Sequence, residues 1–92
     1  MEIRFFIDEE TGDPHVYLHG VSETEVAEVL SAPIEDRQGA DETRVAIGRT
    51  EGGRLLRIIY VRDPTPPSIF VITAYVVSGR VAWALRRRMR GR

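Results

Sequence analysis

The chain has 92 residues, no cysteine, a hydrophobic share of 42% and a formal net charge of −1. These totals exclude disulfide bridges and thiolate zinc sites, and they argue against a disordered chain. No apolar run approaches the length of a membrane span, and no basic leader precedes an apolar segment. We therefore expect one soluble, cytoplasmic domain over residues 1–92, with a modest core that a partner subunit could complete.

Charge is sorted along the chain. Residues 1–53 carry thirteen acidic side chains and four arginines, a net charge of −9, whereas residues 54–92 carry nine arginines and one acid, a net charge of +8. Every basic residue is arginine, whose planar guanidinium binds phosphate or carboxylate through two hydrogen bonds and stacks on bases. The basic half therefore predicts an anionic partner such as RNA, DNA or an acidic protein.

The chain begins with a strand and a short helix. Apolar residues alternate over residues 2–8, which predicts a strand. Asp13 and Pro14 are typical of a helix start, with Asp13 as the N-cap and Pro14 as the first helical residue, and Gly20 is typical of a helix end.

A capping box predicts a second helix. Ser22 and Glu25 have the S-x-x-E spacing in which each side chain satisfies a free backbone N–H group at the helix start. Pro33 ends this helix near Ala32. The apolar stripe of the helix consists of Val26, Val29 and Leu30.

The second half of the chain consists of strands and a closing helix. Strand patterns cover residues 34–36 (weakly), 43–50, 54–62 and 69–77. A tight turn at 51–53 predicts a hairpin, and three prolines predict a loop over 63–68. The periodicity of apolar residues over 80–90 predicts a closing helix. The order β-α-α-(β)-β-β-β-α predicts an α+β domain, with an antiparallel sheet of about four strands packed by helices.

The closing helix has two different faces. Its apolar docking face consists of Val81, Ala82, Ala84, Leu85 and Met89. The opposite face places an indole among guanidinium groups, namely Arg80, Trp83, Arg86, Arg87 and Arg90. Such a face suits RNA, because the indole can stack a base while the arginines hold phosphates. In the alternative interpretation, Trp83 covers a neighbouring loop and the arginines are merely solvated.

Two histidines share one face of the short helix. His15 and His19 are four residues apart, and a metal site would need a third ligand such as Asp8 or Glu9. No zinc-type spacing supports one, so we expect no metal. His19 is the better candidate for acid–base chemistry, because histidine exchanges protons near neutral pH. Alternatively, His19 only helps to hold the helix end beside Gly20.

Arg57 interrupts an apolar strand, where an unpaired charge would cost several kcal/mol. Either a helix carboxylate such as Glu25 or Glu28 neutralises Arg57, or Arg57 faces a cleft and binds an anion. Arg49 ends a neighbouring strand. Tyr75 could supply a phenolic proton or could be a core ring with an exposed hydroxyl.

Several short segments resemble the BrnT-like toxins of bacterial toxin–antitoxin pairs and related small domains with the RelE-like ribonuclease fold. They are the turn His19–Ser22, the strand Val45–Arg49, the strand Leu55–Val61 and the strand Val71–Tyr75. The resemblance implies a RelE-like sheet with helices and a metal-free ribonuclease activity without a cofactor. It also implies an antitoxin partner encoded by an adjacent gene. His19 and Arg49 match the family's His-Gly and Ala-Ile-Gly-Arg positions.

Where BrnT-like sequences tend to have an arginine after the last strand, this chain has Tyr75. From the resemblance, the basic second half and the arginine–tryptophan face of the closing helix, we expect an RNA endonuclease that uses the RNA 2′-hydroxyl as nucleophile, with candidate catalytic residues His19, Arg49, Arg57 and Tyr75. The alternative is a non-catalytic module of the same fold that binds a protein or nucleic acid through the arginine helix. A third reading is a homodimer or head-to-tail assembly in which acidic and basic halves meet.

Overall fold

The computed structural model describes residues 2–77 and 79–90, without the side chains of Val81, Met89 and Arg90. The elements, in chain order, are β1 (Glu2–Phe5), a 3₁₀ helix (His15–His19), α1 (Glu23–Ser31), β2 (Glu35–Gln38), β3 (Arg44–Arg49), β4 (Leu55–Pro64), β5 (Pro67–Val76) and α2 (Gly79–Arg90). The predicted α+β class and the predicted order of elements are confirmed.

The sheet differs from the prediction in size and direction. It has five strands in the order β1-β5-β4-β3-β2, and β1 runs parallel to β5 while the other pairs are antiparallel. The prediction of an antiparallel sheet of about four strands is therefore only roughly correct, because the sheet has one more strand and one of its four strand pairs is parallel. The weak signal at residues 34–36 belongs to the full edge strand β2. β1 and β2 lie at opposite edges of the sheet, so the 3₁₀ helix and α1 carry the chain across it between these two strands.

The two faces of the sheet carry separate cores. The larger core lies on the side of α1, which we call the α1 face, and it consists mainly of Val16, Val21, Val26, Val29, Ala46, Leu56, Ile58, Tyr60, Val71 and Ala74. The smaller core lies on the opposite side, the α2 face, where Leu85 packs with Ile47, Leu55 and Val77. Because side chains alternate along a strand, residues 45, 47, 57, 59 and 75 also lie on the α2 face.

Capping and close packing fix α1. The predicted capping box is present, since the Ser22 hydroxyl accepts from the Glu25 backbone N–H and the Glu25 carboxylate accepts from the Ser22 N–H. Gly48 lets α1 lie directly on β3, because a Cβ atom at Gly48 would be 2.9 Å from Cγ1 of Val29. This contact gives a physical reason for the glycine in the Ala-Ile-Gly-Arg segment.

Two local predictions differ from the structure in their bounds. The short helix begins at His15 rather than Pro14, and Pro14 has extended backbone angles (φ −52°, ψ 133°) and is itself the cap. The predicted loop over 63–68 is shorter in the structure, because β4 continues to Pro64 and pairs with Pro67 at the start of β5, which leaves Thr65 and Pro66 as the turn. Prolines are accepted there because the pair lies at the end of the ladder, where fewer backbone hydrogen bonds are needed.

Candidate functional site

Arg57 and Tyr75 form the centre of the candidate site. They are directly opposite each other on β4 and β5, and both lie half-buried on the α2 face. Nη1 of Arg57 donates a hydrogen bond to the Tyr75 hydroxyl at 3.3 Å. The guanidinium carbon also lies 5.9 Å from the centre of the Tyr75 ring. The oxygen of Tyr75 therefore accepts from a cation, and its own O–H remains a donor.

His19 extends this pair beyond β5. The Tyr75 ring is 6.1 Å from the His19 ring, centre to centre, in an edge-to-face arrangement. β1 covers only the first part of β5, with register pairs from Ser68 to Val71. The 3₁₀ helix packs beside the rest of β5, with Val16 buried in the larger core. Three of the four predicted catalytic residues therefore form one row of contacts, in which Tyr75 contacts both His19 and Arg57.

His15 lies next to His19 but has a different environment. The two rings are 5.2 Å apart, centre to centre, while Nδ1 of His15 lies 3.5 Å from the Asp8 carboxylate. The pKa of the Asp8 carboxyl is lowered, chiefly by the hydrogen bond from the Glu10 backbone N–H and also by His15. Among the described residues, no group of three or more His, Asp or Glu side chains is arranged to hold a metal ion.

Arg57 does not pair with the carboxylates of α1, so that alternative is wrong. Glu25 accepts from Arg54 at 3.0 Å, and Glu28 accepts from the backbone N–H of Glu51. Both acids are carried by α1, which packs on the opposite face of the sheet from Arg57. Over the described ranges 2–77 and 79–90, no carboxylate lies within ion-pair distance of Arg57.

A groove runs from this group across the sheet to the β2 edge. Its volume is about 490 Å³, and its lining consists of Arg37, Gln38, Gly39, Val45, Arg57, Ile59 and Tyr75. The volume falls within the range of ordinary small-ligand sites. The cations and the phenol of the groove lie beside half-buried aliphatic side chains, so the groove offers both polar and apolar contacts.

Arg49 does not join the group. It is the last residue of β3, stands opposite Leu55 and is exposed. Its guanidinium donates to the carbonyl oxygen of Gly53 in the β3–β4 turn at 3.1 Å. Arg49 therefore makes its contact within the hairpin and forms no hydrogen bond with Arg57 or Tyr75.

The exposed face of α2 carries the predicted stacking residue. Trp83 is 55% exposed, and the guanidinium carbon of Arg87 lies 5.0 Å from its ring centre. Arg80 and Arg86 are exposed as well, whereas the side chain of Arg90 lies outside the described residues. An exposed indole next to a guanidinium can stack a base beside a bound phosphate.

Arg88 was not among the predicted binding residues, and it anchors α2. Its guanidinium makes two hydrogen bonds, at 2.7 and 3.0 Å, to the Glu35 carboxylate on β2. This contact raises the pKa of Arg88. Leu85, three residues earlier, lies in the smaller core and Ala82 packs against it, so both apolar and ionic contacts hold α2 on the sheet.

Neighbouring surface grooves connect α2 to the candidate site. Trp83, Arg87 and Arg88 line one groove, Arg88 and Arg37 line a second, and Arg37 and Arg57 line the groove already described. Because each groove shares an arginine with the next, the three grooves adjoin, and the middle groove is also lined by Glu35 and Asp36. That Arg37 lines the groove was also not predicted from the sequence. Extending the weak strand of residues 34–36 by one residue would have placed Arg37 on the face opposite to Asp36.

Comparisons with known proteins add no relative. The chain matches no family model, and no curated protein or solved structure matches it at a significant level. Among the described residues, no helix is both long and apolar enough to cross a membrane.

Proposed function

We propose that this protein is a metal-independent RNA endonuclease that uses the RNA 2′-hydroxyl as its nucleophile, and that it is the toxin of a bacterial type II toxin–antitoxin pair. The observation that carries the catalytic part is the row of contacts formed by His19, Tyr75 and Arg57, with ring centres 6.1 Å apart and a 3.3 Å hydrogen bond. The resemblance to BrnT-like toxins with a RelE-like fold supports the biological role and an antitoxin encoded by an adjacent gene.

Each member of the row has a role in this reaction. His19 takes the proton from the 2′-hydroxyl, whose oxygen then attacks the neighbouring phosphorus. The P–O5′ bond breaks, and the Tyr75 hydroxyl gives its proton to the leaving oxygen. Arg57 neutralises the charge that develops on the phosphate oxygens and also stabilises the Tyr75 oxygen after proton transfer. The products are a 2′,3′-cyclic phosphate and a 5′-hydroxyl.

The basic surface of α2 supplies binding rather than chemistry. Trp83 and Arg87 stack a base and hold phosphate at a distance from the cleaved bond, and Arg80, Arg86 and Arg90 add positive charge. Arg49, in the β3–β4 hairpin, contributes to the positive field of the chain and does not act on the scissile phosphate.

The reaction is tested with purified protein and a single-stranded RNA. We expect cleavage in excess EDTA, a cyclic phosphate at the new 3′ end by mass spectrometry, and no cleavage where the attacking ribose is replaced by deoxyribose. Inhibition by EDTA would contradict the metal-free mechanism, and a 3′-hydroxyl product would contradict attack by the 2′-hydroxyl.

The toxin role is tested in cells. Induction of the gene without its neighbour should arrest bacterial growth, and co-expression of the adjacent gene should restore it. Normal growth with detectable, folded protein would contradict the toxin proposal.

The second candidate function is a non-catalytic module that binds RNA or an acidic protein through α2. The exposed Trp83–Arg87 pair favours it, because this pair needs no catalytic partner. A variant carrying His19→Ala, Arg57→Ala and Tyr75→Phe separates the two proposals. Under the module proposal it retains both the binding and the cellular effect of the parent, whereas under the ribonuclease proposal it binds and does not cut.

A further inference from the structure

A line of side chains crosses the sheet next to the Arg57–Tyr75 pair. Arg37, Val45, Ile59 and Thr73 stand opposite one another on β2, β3, β4 and β5. They are two residues along their strands from the line that contains Arg57 and Tyr75, so they lie on the same α2 face. Two residues of a strand span about 7 Å. The second line is therefore adjacent to the site where a phosphate would bind.

The composition of this line suits a flat, partly polar ligand. Val45 and Ile59 are half-buried and form an aliphatic floor in the groove of about 490 Å³. Arg37 lies at the edge-strand end of the same groove, and its side chain is 63% exposed. Its contact with Glu35 is long, at 4.0 Å, and Glu35 already accepts two shorter hydrogen bonds from Arg88. Much of the Arg37 hydrogen-bonding capacity is therefore available to a ligand in the groove.

We propose that Arg37, Val45 and Ile59 form a base-binding subsite for the nucleotide attached to the scissile phosphate, with Arg37 as its specificity-determining residue. The proposal rests on the proposed function, because Arg57 and Tyr75 define where the phosphate lies. The base lies against the aliphatic floor, and the Arg37 guanidinium hydrogen-bonds to its edge.

The chemistry of arginine indicates which bases this subsite accepts. A guanidinium only donates, and it donates two parallel hydrogen bonds. It therefore prefers a base edge with two adjacent acceptors. Guanine offers O6 and N7, and cytosine offers O2 and N3, whereas adenine and uracil present no two adjacent acceptors. We expect guanine and cytosine to bind more tightly than adenine and uracil.

The experiment measures binding without cleavage. The probes are the 3′,5′-bisphosphates of deoxyguanosine, deoxycytidine, deoxyadenosine and deoxyuridine, which lack the nucleophile. We expect the first two to bind about 5- to 100-fold more tightly, as for a good bidentate contact. In NMR spectra the methyl signals of Val45 and Ile59 should shift, whereas those of Val26, buried on the opposite face, should not.

Two charge-conserving variants test the role of Arg37. Arg37→Lys keeps the cation and loses the planar fork, so the base preference should fall to near unity. Arg62→Lys is the matched control, because Arg62 is 61% exposed, has a similarly long ion pair of 3.8 Å to Asp36, and lines a groove on the α1 face. It should keep the full preference.

The possible outcomes separate this proposal from the proposed function. The subsite proposal is overturned if Arg37→Lys keeps the preference, if Arg62→Lys abolishes it equally, or if Val26 shifts in place of Val45 and Ile59. RNA cleavage by a protein with no base preference would overturn the subsite alone. The expected preference in a protein that cuts no RNA would overturn the ribonuclease proposal and support the subsite.

Discussion

Arg57 on β4 and Tyr75 on β5 stand directly opposite each other in the antiparallel sheet, and the Arg57 guanidinium donates to the Tyr75 hydroxyl at 3.3 Å. The two residues are 18 positions apart in the chain. The register of the β4–β5 hairpin brings them together, and the 3₁₀ helix adds His19 beside them. A cation and a phenol then border one groove, and an imidazole lies beside the phenol ring, which is the basis of the proposed chemistry.

His19 should be essential for RNA cleavage, and His15 should not. His19→Ala removes the proposed base, and we expect cleavage to fall by about 100-fold or more, as for loss of general acid–base catalysis. His15→Ala is the matched control on the same short helix, since His15 contacts Asp8 instead of Tyr75. Single-turnover cleavage rates measure both variants. Equal losses in the two variants would contradict the assignment of His19.

Docking of α2 should contribute strongly to stability through Leu85. This side chain is 2% exposed in the smaller core, so Leu85→Ala should lower the free energy of unfolding by about 2–5 kcal/mol. Leu18→Ala is the control, because Leu18 is 57% exposed and its truncation should cost about 0.5 kcal/mol or less. Urea unfolding followed by circular dichroism measures both. Similar midpoints for the two variants would show that α2 does not pack on the sheet in solution.

Gly48 should be required for the contact between α1 and β3. Gly48→Ala places a Cβ atom 2.9 Å from Val29 Cγ1 and 3.4 Å from Pro33 Cα, so we expect a loss of about 1–3 kcal/mol through overpacking. At Gly52 the nearest atom to an added Cβ is 3.8 Å away, so Gly52→Ala should leave stability nearly unchanged. Thermal unfolding of the two variants provides the comparison, and a stable Gly48→Ala protein would refute the close contact.

Tyr60 should make stability depend on pH in the alkaline range. Burial and the hydrogen bond to Asp36 raise the pKa of the Tyr60 hydroxyl above 10.0, so the neutral form is favoured in the folded protein. This contribution is complete below pH 10.0 and is lost as the pH rises through the pKa of the folded state.

Tyr60→Phe keeps the ring in the core and removes the hydroxyl. We expect a cost of about 1–3 kcal/mol at pH 7, as for a hydrogen bond to a charged group. The difference between parent and variant should shrink above pH 10, and denaturant titrations at pH 7, 9 and 11 measure it. A difference that grows with pH would have the wrong sign and would refute the raised pKa.

Local sequence patterns determined much of the secondary structure. The capping box of Ser22 and Glu25, the stop at Pro33 and the turn at 51–53 act within a few residues, and all three are present in the structure. The periodicity of residues 80–90 likewise placed Leu85 on the buried side of α2 and Trp83 on the exposed side. Such signals are readable because the interactions that produce them span at most one or two turns of chain.

Tertiary structure alone decided the rest. Whether β1 runs parallel or antiparallel depends on where the chain returns to the sheet, which no local pattern encodes. The sequence left two possible partners for Arg57, a carboxylate of α1 or an anion in a cleft. The fold decides between them, because Glu25 and Glu28 lie on the opposite face of the sheet and Arg57 contacts Tyr75. The same holds for Arg37 and Arg88, whose shared surface results from packing α2 across β2. The uneven distribution of charge along the chain predicted an anionic partner. The register of strands far apart in the sequence determined which arginines lie on the same face of the sheet.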